Sequence, residues 1–256
     1  MKKAPLALAA TALLLTACGS SGTSATTESG VSLISEGKLT VCTNPPYAPF
    51  EYEENGKIVG LDADIAAAIA SDLAVEAEMY TTSFEGIQSG VALSSGQCDI
   101  ALSGITVTDE RKTVMNFTSS YVDDNLAILV PADSSITGEA DLSGRKVGVQ
   151  QATSGEKYAK DAGADTVQYE DNGLLLQALQ TGQVDAVVGN ITVLSEMLTA
   201  DSSLKVAQEI ETNEKIAAAV STENTALLDS ANATLKKMQD DGRLADLREK
   251  YLGLSQ

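Results

Sequence analysis

Apolar residues recur along this chain in two spacings. Leu39-Thr40-Val41-Cys42, Leu126-Ala127-Ile128-Leu129-Val130 and Val147-Gly148-Val149 are short β-prone runs, each bounded by polar or turn-forming residues. Ile65, Ala66 and Ile69, and later Leu227, Leu228, Leu235 and Met238, instead fall on helical faces with a period near 3.6. Strands and helices of this kind alternating along a chain predict an α/β protein.

Taken in order, Lys38 to Thr43 reads as the first strand and is stopped by Asn44-Pro45-Pro46-Tyr47-Ala48-Pro49-Phe50. Three prolines fix φ and remove N–H donors, so that loop should hold Tyr47 stiffly. Glu51 to Lys57 reads as a hairpin, Asp64 to Leu73 as a helix beginning at or near Asp62, and Ser83 as the N-cap of a helix starting at Phe84. Leu126 to Val130 and a strand ending the Ile210–Val220 stretch are candidates for crossings between two lobes. Lys146 to Gln150 leads through Gln151-Ala152-Thr153-Ser154-Gly155 into a helix from about Glu156, and Thr225 to Leu252 closes the chain as a helical region.

An internal repeat sharpens this picture. Thr181 to Thr192 matches Ser95 to Thr106 over twelve positions without a gap, pairing Gly96 with Gly182, Gln97 with Gln183, Asp99 with Asp185, Ile105 with Ile191 and Thr106 with Thr192. Apolar helical segments precede both copies: Phe84, Ile87 and Val91 in one, Leu174, Leu175, Ala178 and Leu179 in the other. Each unit reads as helix, turn, strand and polar loop. Open α/β sheets bind ligands beyond the carboxyl ends of their strands, so two such lobes face to face would close on a small molecule.

Met1 to Cys18 has the form of a signal peptide, with Lys2 and Lys3, an apolar core from Leu6 to Leu15, and the box Leu15-Thr16-Ala17-Cys18. The run is too short to span a bilayer as a stable helix. This box resembles that of bacterial lipoproteins, which implies cleavage before Cys18 and acylation of its thiol. Gly19 to Gly30 contains no large apolar residue and reads as a tether. Without Lys2 and Lys3 the chain carries 15 basic against 36 acidic side chains, a net charge of −21, which repels nucleic acid and anionic headgroups. With Cys18 assigned to lipid, Cys42 and Cys98 remain in an oxidising compartment. A single disulfide between them and two free thiols are both open readings. Two thiols without any histidine do not make a metal site, and no cofactor motif is present.

Pro49-Phe50-Glu51-Tyr52, Gly60-Leu61-Asp62-Ala63-Asp64, Thr106-Val107-Thr108-Asp109-Glu110-Arg111, Asp141 to Val149 and Gly182 to Val187 follow one another in an order that, with their spacing, resembles the family 3 solute-binding proteins of amino-acid ABC importers. The resemblance implies a two-lobed, type II periplasmic-binding-protein-like fold: two doubly wound sheets joined by two hinge strands. Boundaries follow as 1–17 for the signal peptide, 18–32 for the lipidated cysteine and tether, 33–123 with 217–256 for lobe one, and 124–216 for lobe two. It also implies capture of a small carboxylate-bearing solute by hinge closure, delivery to a membrane permease, an extracytoplasmic lipid-anchored location, a monomer, and no catalysis or cofactor.

By the same resemblance Arg111 takes the ligand carboxylate, as a guanidinium does with two parallel charge-assisted hydrogen bonds. Thr106 and Ser154, with Thr153 beside it, supply further donors; Ser103 and Gly104 face the α-ammonium; Tyr47 and Phe84 sandwich the ligand's side chain. Two positions depart from the family pattern. Asn190 stands where an aspartate usually holds the ammonium, and Asn44 where an acidic side-chain selector usually stands. An amide supplies no neutralising charge. Either another carboxylate takes over (Glu51, Glu85, Asp123 or Asp124), or neutral acceptors suffice, or the ligand lacks a free ammonium. Absence of an aspartate at Asn44 points away from strongly cationic ligands. Two other functions fit the same fold: a dehydratase, disfavoured by the lack of histidine and of a nucleophile motif, and a sensory module that reports a ligand instead of delivering it.

Overall fold

The computed structural model describes residues 25–27 and 30–253. The signal peptide and Cys18 lie outside the described residues.

Two five-stranded sheets are built to one plan. In the first, the strands run Glu76–Thr81, Lys38–Thr43, Ile100–Ala101, Ala219–Ser221, Met115–Phe117 across the sheet. In the second they run Asp165–Tyr169, Lys146–Gln150, Ala186–Asn190, Val122–Pro131, Leu204–Ile216. In both, the first three strands are parallel and the last two pair antiparallel. The parallel strands are linked by helices, which is the connection that parallel pairing requires.

The repeat seen in sequence is one structure used twice. Gly96 and Gly182 both take the left-handed conformation, at φ 71° and 69°, which a residue with a Cβ adopts only at a cost. Gln97 and Gln183 donate their backbone N–H to Ala92 and Ala178. Asp99 accepts from the N–H groups of Ile34 and Thr40, and Asp185 from that of Lys146, so each aspartate anchors a neighbouring strand.

Several elements differ from the sequence reading. The strand of the first repeat is short, Ile100–Ala101, with the Asp99 side chain before it held by the Ile34 and Thr40 N–H groups and the chain bending at Ser103 after it. The helical segment before it is split into Phe84–Gln88 and Val91–Ser94 by Gly90, at φ 75° and packed against Val114. Val91 and Leu174, read as apolar-face residues, are exposed. Part of the tether is paired: Ala25–Thr26 lies antiparallel to Ser32–Leu33, because Val31 and Leu33 are buried and pull the segment onto the body. The helix expected from Glu156 begins at Ser154.

Two long strands cross between the sheets. Val122–Pro131 and Leu204–Ile216 pair antiparallel, and their ends beside the first sheet are tied by the Thr106–Ile216 bridge and the Tyr121 N–H donating to the Ile216 carbonyl. Their ladder is interrupted where Ile210 pairs with Leu126 but Glu214 with Asp124, leaving Glu211, Thr212 and Asn213 opposite Asn125. Asn213, at φ 52°, turns that excursion, and its N–H is held by the Asn125 side chain at 3.0 Å.

Candidate ligand cleft

Arg111 begins a single 3₁₀ turn, Arg111–Thr113, after the polar loop that closes the first repeat. Its guanidinium is buried, 4 % exposed. Nη1 donates to the Thr106 carbonyl at 2.8 Å and Nη2 to the Ala152 carbonyl at 3.0 Å, and the group lies 5.2 Å from the centre of the Phe84 ring. Burial pulls the Arg111 pKa down to about 10, opposed by the charge of Glu214. Arg111 forms no ion pair among the described residues, so a buried cation with unspent donors faces the space between the sheets.

That space is lined from both sides. A cavity of about 420 Å³ is lined by Arg111, Thr108 and Gln88 from one half, by Ala152, Thr153, Ser154 and Tyr158 from the other, and by Glu214 of the crossing strand. Direct hydrogen bonds join the walls: Gln150 Nε2 donates to Asn44 Oδ1 at 2.9 Å, and the Tyr47 hydroxyl to Asn190 Oδ1 at 2.9 Å. The Arg111–Ala152 bond is a third crossing.

Thr106, Ser154 and Asn190 converge on a single atom, Glu214 Oε2, at 2.7, 3.1 and 3.1 Å. Ser103 and Gly104 sit over two buried carboxylates: Ser103 Oγ donates to Glu51 Oε1 at 2.5 Å, and the Gly104 N–H to Asp62 Oδ2 at 2.7 Å. A Cβ at Gly104 would stand 2.5 Å from the Tyr47 ring, so only glycine allows that loop and Tyr47 to meet. Tyr47 stacks on Phe50 with ring centres 5.8 Å apart. Phe84 packs with Cys42, Ile87 and Cys98 behind the site and offers its face to Arg111. Thr153 caps its helix, accepting from the Glu156 N–H and donating to the Gln150 carbonyl, so its hydroxyl is spent locally. Asn44 spends its amide on the Thr82 carbonyl and on Gln150. Cys42 and Cys98 are joined by a disulfide, with Cα atoms 5.6 Å apart.

The four acids weighed as replacements for the missing aspartate separate clearly. Glu85 is exposed, and exposed Asp123 pairs with Lys215. Glu51 is fully buried under Ser103, where desolvation and neighbouring Asp62 push its pKa well up. Asp124 is buried on the crossing strand opposite Glu214, accepts from Thr192 Oγ1 at 2.9 Å, and leaves Oδ2 without a partner. Burial raises the Asp124 carboxyl to about 6. Glu214 was not among the sequence candidates. Its only signal was an acidic residue in the stretch read as a returning strand, which does not reveal that the excursion Glu211–Asn213 precedes it or that Thr106, Ser154 and Asn190 meet on it.

A family model for bacterial extracellular solute-binding proteins, family 3, matches residues 39–254. The chain belongs to this family. The arginine-binding extracellular protein ArtP of Bacillus subtilis is 33 % identical over 98 % of both chains. The L-cystine-binding protein TcyJ of Escherichia coli is 30 % identical over 85 % of this chain and 83 % of its own. Among solved structures, an ancestral arginine-binding protein bound to arginine superposes with a TM-score of 0.78 at 36 % identity, covering 84 % of this chain and 98 % of that one. The same kind of protein bound to glutamine gives 0.81 at 35 % identity, over 86 % of this chain and all of that one. Two sheets with a cleft between them are thus the type II periplasmic-binding fold of a family 3 solute-binding protein. The amino-acid-binding relatives are binding proteins. An ancestral amino-acid-binding protein described as a precursor of cyclohexadienyl dehydratase is also similar, with a TM-score of 0.77 at 33 % identity, covering 84 % of this chain and 95 % of that one.

Proposed function

We propose that this family 3 protein is the non-enzymatic, extracytoplasmic binding component of an amino-acid ABC importer, anchored through an acylated Cys18 and working as a monomer. Arg111 carries this reading: a buried guanidinium with no ion pair among the described residues, lining a two-walled cleft together with Ser154 and bonded to the Thr106 backbone. A ligand α-carboxylate is the group that spends those donors best. Asp124 replaces the aspartate lost at Asn190 and receives the α-ammonium, since its Oδ2 is buried and free.

The wall beyond Tyr47 is rich in amides. Asn44, Gln150 and Asn172 form a chain of hydrogen bonds, Gln150 Oε1 accepting from Asn172 Nδ2 at 3.0 Å, which suits a polar uncharged side chain. A cationic side chain is the second reading, favoured by two cleft carboxylates against one guanidinium and by the arginine-binding relatives. Calorimetry against the twenty L-amino acids and L-cystine separates the two. Tight glutamine or asparagine binding supports the first, tight arginine or lysine the second, and no binding by any of them defeats both. A copurifying ligand that is an amine without a carboxyl group would defeat the assignment to Arg111.

A further inference from the structure

Glu214 stands where no ligand-recognition pattern of the sequence reading put a residue. It lies on the second crossing strand, immediately after the excursion Glu211–Asn213 that displaces it by two residues relative to the facing strand. Its Oε2 collects three donors from three different elements: the Thr106 hydroxyl from the first repeat, the Ser154 hydroxyl from a helix start in the second sheet's half, and the Asn190 amide from the end of the second repeat. Two of these are the hydroxyls that the site offers to a ligand carboxylate. A hydroxyl has one proton to donate, so neither can serve Glu214 and a ligand carboxylate at once.

Glu214 has no ion pair among the described residues and is held by neutral donors alone, with the Arg111 charge nearby. An oxygen with three donors at 2.7–3.1 Å is held as a bound carboxylate oxygen would be. The donors also come from both halves of the molecule, so the contact pulls the walls together.

We propose that Glu214 is an intramolecular occupant of the carboxylate subsite, which closes the cleft by itself and must be displaced by the ligand's carboxylate, so that this residue sets ligand affinity. The inference rests on the assignment of Thr106, Ser154 and Arg111 to a ligand carboxylate. An asparagine at position 190 is consistent with it: the Asn190 amide donates to Glu214, which an ionised aspartate could not do.

Two measurements on the mature protein test this. Small-angle scattering without added amino acid should show a compact wild type, while Glu214→Ala populates an expanded form; equal radii of gyration would overturn the closing role. Calorimetry with each L-amino acid that binds the wild type should show Glu214→Ala tightened by roughly tenfold, with Glu214→Gln intermediate because its oxygen still accepts. Unchanged or weakened binding in Glu214→Ala would overturn displacement and make Glu214 a bystander or a direct ligand contact. Arg111→Ala separates this failure from that of the underlying assignment. If Arg111→Ala binds as well as wild type, the carboxylate subsite itself is wrong, whatever the scattering shows. Thermal melts of each variant establish that it is folded.

Discussion

Asp124 and Glu214 stand opposite each other in register on the two crossing strands, and each takes a hydroxyl hydrogen bond from the threonine that ends one copy of the repeat. Thr192 Oγ1 donates to Asp124 at 2.9 Å and Thr106 Oγ1 to Glu214 at 2.7 Å. The duplicated architecture thus reaches down to single side chains. Each half presents a threonine to a carboxylate on a strand joining the halves, and the two carboxylates sit close enough for Glu214 to push the Asp124 pKa upward as a lesser contribution beside burial.

Asp124 should make amino-acid binding pH-dependent. Its carboxyl is raised to about 6, and an α-ammonium binds the ionised form, so affinity should increase as pH rises from 5 to 7. Asp124→Asn should flatten that profile and weaken a zwitterionic ligand by roughly tenfold or more at pH 7. Calorimetry across this range checks both; an Asp124→Asn profile parallel to wild type would reject the role.

Asp62 should shape stability. Burial holds its carboxyl near 7 against an ordinary 3.8, offset in part by the Gly104 N–H. Between those values the folded protein keeps a proton that the unfolded chain has released, so this group's contribution is full below about pH 4 and lost as pH rises through 7. Glu51 and Asp124, also raised, act in the same direction. Asp62→Asn keeps an acceptor for the Gly104 N–H and removes the titration. The drop in melting temperature from pH 5 to pH 8 should therefore shrink in this variant, and an undiminished drop would show that Asp62 is not responsible.

Much of this arrangement was legible in the sequence. The twelve-residue repeat foretold two like halves because its glycine turns and anchoring aspartates are chemically obligatory: Gly96 and Gly182 need a left-handed backbone, and Asp99 and Asp185 need no partner beyond a strand's own N–H groups. Arg111 was singled out by its motif, and its side chain is buried and lines the cleft. Glu214 was not, since its position depends on a strand excursion that hydrophobic alternation does not encode. The splitting of one helix at Gly90 and the local spending of Thr153 were hidden for a similar reason. Both depend on partners distant from the apolar pattern or on a cap geometry that a ligand-facing role mimics.

Gly104→Ala should damage the cleft more than the fold. At φ 52° an alanine is disfavoured, and its Cβ would meet the Tyr47 ring at 2.5 Å. Tyr47 must then move away from Asn190, at a cost of about 1–3 kcal/mol. Ligand affinity should fall at least tenfold while far-ultraviolet circular dichroism stays native. Wild-type affinity would mean that Tyr47 is not part of the site.

The Cys42–Cys98 disulfide ties the Lys38–Thr43 strand to the residues just before Ile100–Ala101, across 56 residues of sequence. Replacing both cysteines by alanine should lower unfolding free energy by about 2–4 kcal/mol in urea denaturation. An unchanged denaturation midpoint would indicate that the surrounding packing of Phe84 and Ile87 suffices.

On the proposed reading Arg111 receives the ligand's carboxylate. The most direct test of this is the dissociation constant of the tightest-binding L-amino acid measured on wild type and on Arg111→Ala. Loss of a buried charge pair should weaken binding by about 2–5 kcal/mol, some thirtyfold to several thousandfold. An unaltered constant in a folded Arg111→Ala protein would mean that Arg111 does not bind the carboxylate.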